Sequence, residues 1–189
     1  MTNHFVVDVE TLDIESSAIV LSASIVYFSL EEDVDFLQLI DRSLYVKFSV
    51  IEQYEKGRTK SADTMNWWKK QGTEIQKLCL NPSKKDLSVA EGLSRMRDYV
   101  KEHGSNDSFF WARGTLDQMV LESLARWFDE KFFANYNAWM DVRTAIRLTK
   151  STANWRGYCE VPGFDQSLVN AHNPIDDVCR DALLLIKGV

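Results

Sequence analysis

Residues 5–13 read FVVDVETLD, and no other stretch constrains the chain as tightly. Phe5, Val6, Val7 and Val9 are the aromatic and β-branched types that fill a buried strand. Asp8 and Glu10 interrupt them. Side chains two apart on a strand share a face, with their Cα atoms about 6.6 Å apart. Two carboxylates are therefore aimed the same way from a segment otherwise fit for a core. Burying one unpaired charge is costly, and a second of the same sign repels it. The fold must bring something that neutralises them.

The first fifty residues read as three strands, 4–9, 18–28 and 43–50. The turns between them carry Asp13, Glu15 and Ser16, then the acidic run Glu31-Glu32-Asp33. Such short connections favour antiparallel neighbours. Helices then alternate with strands. SADTMNWWKKQ, 61–71, opens on a capping serine and ends at Gly72. Residues 86–102 place Leu87, Ala90, Leu93, Met96 and Val100 near helical period. SFFWA, 108–112, reads as a strand, 115–128 as a helix, NAWMDV, 137–142, as a short strand, and 143–149 as a helix. Residues 150–170 are polar and irregular, and a last helix starts near Pro174. This pattern predicts an α/β fold with a mixed sheet and helices on both faces. With 189 residues, 45% apolar, and only three prolines and eight glycines, one domain over 1–189 is expected.

The three cysteines, Cys79, Cys159 and Cys179, are an odd number with no CxxC pair. They suit reduced thiols in the cytoplasm. The longest apolar run, AIVLSASIVYF at 18–28, is far too short to span a bilayer. The N-terminus lacks the basic start of a signal peptide. No membrane partner is expected. Net charge is −6, yet the distribution is uneven. Between Val142 and Cys159 stand Arg143, Arg147, Lys150 and Arg156 with no acid. Lys56, Arg58, Lys60, Lys69 and Lys70 form a second basic group. Each group reads equally as solvated surface or as part of a surface for phosphates.

Two further acidic places stand out. In WARGTLDQMVLESLARW, Thr115 and Gln118 have capping-box spacing, which puts Asp117 in a first helical turn. The helix dipole favours an acid there. However, Val120, Leu121 and Leu124, its helical neighbours, place Asp117 on or beside the packed face. In AHNPIDDVCRDA, 171–182, Asn173 and Pro174 read as N-cap and first helical residue. His172 lies in the approach, and Asp176, Asp177 and Asp181 fall in the first two turns.

Together these residues resemble a known set. Asp8-x-Glu10 on a first strand, Asp117 opening a helix after a central strand, and His172 five positions before Asp177 match the three exonuclease motifs of the histidine-bearing (DEDDh) branch of the DEDD superfamily, in order and in placement. GRTKSADTMNWWKKQ and the WARG before Asp117 are similar to the phage exodeoxyribonuclease A type and its small exoribonuclease relatives. The resemblance spans about residues 4–186. Three positions depart from the common pattern: Thr11-Leu12-Asp13 replaces a Thr-Gly, Arg113-Gly114 stands where Asn often precedes the aspartate, and Val178 replaces an alanine. The last aspartate is Asp177 by its spacing from the histidine, with Asp176 as rival.

The resemblance implies a ribonuclease H-like sheet and a 3′–5′ exonuclease releasing 5′-mononucleotides from single-stranded DNA or RNA. It implies two Mg²⁺ or Mn²⁺ ions held by Asp8, Glu10, Asp117 and Asp177, with His172 taking the proton from the attacking water. Hard carboxylate oxygens suit those ions, and two dications would offset four acids. Thr11 and Leu12 are expected at the terminal nucleotide, Arg113 and Arg143 at phosphates, and Trp68 or Trp67 against a base. Trp68 also reads as core, since it shares a helix face with Ala62 and Met65. Alternatives are an exoribonuclease that processes RNA 3′ ends, a non-catalytic nucleic-acid-binding module of the same fold, or a carboxylate-pair glycosidase. Retention of all four acids and the histidine speaks against the binding module, and no cleft-flanking second element supports the glycosidase. A cytoplasmic location is expected, the host's if a phage encodes the chain. A homodimer or another oligomeric state is left open.

Overall fold

The computed structural model describes residues 2–161 and 163–188. Five strands form one sheet. The antiparallel part is β1 (His4–Thr11), β2 (Val20–Phe28) and β3 (Leu44–Lys47); the parallel part is β4 (Phe110–Ala112) and β5 (Trp139–Asp141) beside β1. The order is β3-β2-β1-β4-β5, so the strand carrying Asp8 and Glu10 is central. The expected mixed sheet is what the chain adopts.

Around it lie α1 (Phe36–Arg42), α2 (Val50–Glu55), α3 (Ala62–Trp68), α4 (Thr73–Leu80), α5 (Val89–His103), α6 (Leu116–Trp127), α7 (Val142–Thr149) and α8 (Pro174–Gly188). Three of these, α1, α2 and α4, lie where turn, strand or no element is expected from the sequence. Each is six to eight residues long, too short for an apolar period to declare itself. In α1 the local signal is instead the cap, where Asp35 and Gln38 form a reciprocal box. The third strand stops at Lys47 because Gln53 of α2 folds back to bond Val20 through both N–H and C=O.

Alternation along β1 divides the interior. Phe5, Val7 and Val9 join Ala23, Ile25, Val46 and the apolar faces of α5 and α6. Val6 joins Val26, Phe28, α1, α7 and α8 on the opposite face. Pairing runs in register from His4↔Phe28 to Glu10↔Ser22, then slips to Thr11↔Val20. Leu21 is thus the extra residue of a bulge, which re-aims the chain. Leu12, Ile19 and Leu21 consequently turn into a third cluster with Trp68 and Cys79, beneath α3 and α4. The cysteines are free thiols. Among the described residues, no helix is long and apolar enough to cross a membrane.

Candidate active site

Asp8 and Glu10 emerge on the α8 face at the carboxyl end of β1. The parallel partner β4 has ended by then, since its pairing to β1 stops at Val6↔Trp111. The Val9 N–H is consequently left without a strand partner on that side. Asp117 supplies one: its Oδ1 accepts the Val9 N–H at 3.1 Å. The turn that delivers Asp117 runs through Gly114, whose φ of +89° is left-handed and suits glycine. Gly114 N–H donates to Asp141 Oδ1 at 2.9 Å, and Asp141 also caps α7. The start of α6 and the start of α7 are thereby tied to one carboxylate.

The expected capping box does not form. Thr115 makes no side-chain cap bond, and Gln118 pairs with Glu122 instead. Thr115 has αR backbone angles (φ −106°, ψ −10°), away from the extended geometry an N-cap needs. Asp117 nonetheless sits in the first turn, nearly buried.

On α8, Asn173 Oδ1 accepts the Ile175 N–H, and Pro174 opens the helix as expected. Asp176 turns away and accepts both N–H groups of Asn170, fixing the loop. Asp177 faces the sheet. Its Oδ2 accepts the His172 N–H at 3.0 Å, and its Oδ1 meets Arg180 Nη1 at 2.7 Å. His172 holds a left-handed φ of 66°, the kind of local strain that collects at functional positions. Ligand atoms of Glu10, His172 and Asp177 lie within 4.8 Å of one another. With Asp8, Asp117, Arg143 and Arg180 they line a cavity of about 660 Å³.

The electrostatics are those of crowded acid. Burial, then the charges of Asp117, Glu10, Asp177 and Asp181, pushes Asp8 well above the ordinary carboxylate range. Burial followed by Asp177 and Asp117 does the same to Glu10. Burial raises Asp117 to about 7 despite its bond from Val9 and the pull of Arg143. Asp177 rises from burial too, restrained mainly by Arg180. Among the described residues, Asp8, Glu10 and Asp117 have no ion pair. Three near-buried acids with no ion pair among the described residues are a donor set that a hard divalent ion fits, being all oxygen.

Several residues expected at the substrate serve the scaffold. Arg113 lines the cavity, but its guanidinium is engaged within the protein. Nε and Nη2 grip Asp181 at 2.7 and 2.8 Å, Nη1 donates to the Arg156 carbonyl, and the group stacks on Tyr158. A buried carboxylate on α8 has claimed it. Leu12 lies in the third apolar cluster. Trp68 is fully buried and donates Nε1–H to the Thr11 carbonyl at 2.9 Å, so it supports the strand end rather than stacking on a base. Thr11 is buried, its hydroxyl bonded to the Asp13 carbonyl. It borders a neighbouring hollow of about 590 Å³ with Glu10, Ser61, Asp63, Trp67 and Leu116. Trp67, 38% exposed, meets the His172 ring edge-on at 4.8 Å. In the second basic group, Arg58 is buried on the Ala18 and Ser16 carbonyls and beneath Trp127, a structural role.

Arg180, Asp181 and Tyr158 are the site neighbours that sequence reading missed. The i,i+3 spacing of Asp177 and Arg180 is the signal for the first. Asp181 shares the i,i+4 face of Asp177, but its pairing with Arg113 carries no signal, nor does Tyr158, because Arg113 lies far away in the chain.

Comparison with known proteins gives three findings. The model of a family described as the 3′–5′ exoribonuclease Rv2179c-like domain matches residues 3–184. The chain is 27% identical over 200 residues to the exodeoxyribonuclease of Enterobacteria phage T4, covering 96% of this chain and 86% of that protein. The crystal structure of the nuclease domain of 3′hExo, a DEDDh family member bound to rAMP, matches with a TM-score of 0.61 over 98% of this chain and 92% of that one. At 13% identity that last likeness is one of fold.

Proposed function

This chain belongs to the 3′–5′ exoribonuclease Rv2179c-like domain family and is a DEDDh-class 3′–5′ exonuclease of ribonuclease H-like fold, and from that premise we propose that it shortens single-stranded nucleic acid, DNA or RNA or both, from the 3′ end. The observation that carries this is the convergence on one cavity of Asp177, His172 and three acids that lack any ion pair among the described residues. Asp8, Glu10, Asp117 and Asp177 would hold two Mg²⁺ or Mn²⁺ ions. Such ions, when bound, supply charge stabilisation on the scissile phosphate and a nucleophile at neutral pH.

The chain's own groups do the rest. Asp8 and Glu10 are held rigid by the central strand, and Asp117 by its bond from the strand backbone, so their spacing is set before substrate arrives. Asp177 is oriented from two sides, by the His172 N–H and by Arg180. The His172 side chain, steadied by the edge of Trp67, accepts the proton of the attacking water. Arg143, at the cavity's rim and paired with no acid among the described residues, offers positive charge to the phosphate. The product is a 5′-mononucleotide. Free thiols support a cytoplasmic setting.

The test is hydrolysis of 5′-labelled and 3′-labelled single strands, DNA and RNA in parallel, with Mg²⁺, Mn²⁺ or EDTA. Stepwise loss from the 3′ end, dependent on metal and abolished by Glu10→Gln and by Asp177→Asn, is expected. Cleavage that persists in EDTA contradicts the mechanism.

A further inference from the structure

Residues 154–158 form a turn whose rigidity needs a reason. Asn154 Oδ1 accepts the N–H groups of Arg156 and Tyr158, Asn154 N–H donates to the Tyr158 carbonyl, and Gly157 N–H donates to the Asn154 carbonyl. Gly157 has a φ of +72°, and a Cβ there would lie 2.7 Å from Arg143 Cα. Only glycine lets the turn press so closely against the start of α7. The Arg156 carbonyl is gripped by Arg113 at 2.7 Å, and Arg113 is itself locked to the buried Asp181. The turn is thus bolted to the wall of the catalytic cavity through buried charge.

What this turn displays is an aromatic and a cation. Trp155 is 73% exposed, and the Arg156 guanidinium lies 4.8 Å from its ring centroid. Arg156 lines the catalytic cavity, and Trp155 is its neighbour in the chain and in contact with it. A lone exposed aromatic is ordinary on a protein surface. One held on a fixed turn, beside the cavity and within an acid-free basic stretch, is not placed by packing.

We propose that Trp155 is a stacking platform for nucleotides on the 5′ side of the scissile phosphate, with Arg156 engaging the intervening phosphate. The claim deepens the nuclease reading and rests on it. The occupant is the single strand whose 3′ end enters the cavity, selected by charge complementarity with Arg143, Arg147, Lys150 and Arg156 and by continuity with the site. Paired aromatic face and basic groove are the two elements that single-strand binding requires. Stacking is tolerant of base and sugar, so this platform adds affinity without choosing between DNA and RNA.

The experiment compares wild type, Trp155→Ala, Trp155→Phe and Tyr136→Ala on two substrates. One is a single strand of about eight nucleotides; the other is the nitrophenyl ester of thymidine 5′-phosphate, which has no upstream nucleotide. Tyr136 is a still more exposed aromatic (83%) in the segment leading into β5, at the opposite end of the parallel strands. In Trp155→Ala the ratio of kcat/KM for strand over ester falls about tenfold, through KM. Phenylalanine restores most of it, and Tyr136→Ala leaves it unchanged. A ratio equal to wild type in Trp155→Ala overturns the platform while the ester rate upholds the nuclease. Failure of wild type to cleave either substrate overturns the nuclease reading and the platform with it.

Discussion

The two faces of β1 are made from alternating residues of one strand, and they are built to opposite rules. Phe5, Val7 and Val9 point into a dry core with Leu93, Leu121 and Leu124, all buried and apolar. The other face begins the same way, with Val6 against Val26 and α8. Two residues on, it carries Asp8, then Glu10, opposite Ser24 and Ser22, whose buried hydroxyls have no partner among the described residues. A face selected for stability would not gather near-buried acids and idle hydroxyls. The dry face holds the strand in place while the wet face keeps charge unsatisfied. On the proposed reading, the contrast teaches that the fold's cost and its function occupy the same few residues, and that the rest of the strand keeps them there.

Substitutions on the two faces should separate cleanly. On the wet face, His172→Ala is expected to lower turnover at neutral pH by about 10²–10⁴, with partial recovery at high pH and a melting temperature near wild type. A pH–rate profile parallel to wild type would remove His172 from proton transfer. On the dry face, Leu121→Ala leaves a cavity where burial is complete and should cost about 2–5 kcal/mol in urea unfolding. Its turnover per folded molecule should match wild type. Equal loss of rate and stability there would erase the distinction between the faces.

A smaller effect concerns pH in EDTA. Asp117, raised to about 7, and Asp8 and Glu10, raised by burial and mutual repulsion, bind protons more readily folded than unfolded. Stability from these groups is therefore complete below pH ~4, the unfolded carboxylate value, and is lost as pH rises through about 7. The half-buried His4, lowered by burial, works in the opposite sense near its unfolded value. The melting temperature of the metal-free protein should fall by a few degrees from pH 5 to pH 7.5, and less so in Glu10→Gln. A flat profile would mean that the acids are compensated by the protein itself.

How far the sequence discloses this arrangement follows from what each residue depends on. Asp8 and Glu10 are legible because a period of two is enough to put them on one face. Asp117 is legible because its helical neighbours at three, four and seven positions are apolar, and Asp177 because Asn-Pro fixes where α8 begins. The expected sheet holds for the same reason, since its strands alternate strongly. The short helices α1, α2 and α4 are not legible, because six to eight residues hold fewer than three turns of pattern. Trp67 and Trp68 illustrate a finer limit. Trp68 is legible as core from the helix face it shares with Met65, but neighbours on a helix point about 100° apart, and only packing decides that Trp67 meets His172. Arg113 is the clearest case of tertiary override. Nothing near it in sequence announces Asp181, 68 residues away, yet that pairing makes a residue of the cavity wall the bolt that fixes the 154–158 turn.

The central claim is that the acids of the wet face are gathered to hold divalent cations. Calorimetric titration of Mn²⁺ into the metal-free protein at pH 7.5 tests it directly. The account predicts about two ions per chain, with binding weakened or lost at one or both sites in Glu10→Gln and Asp177→Asn and unchanged in Leu121→Ala. Wild-type protein that takes up no Mn²⁺, or variants that bind it as wild type does, would contradict the account.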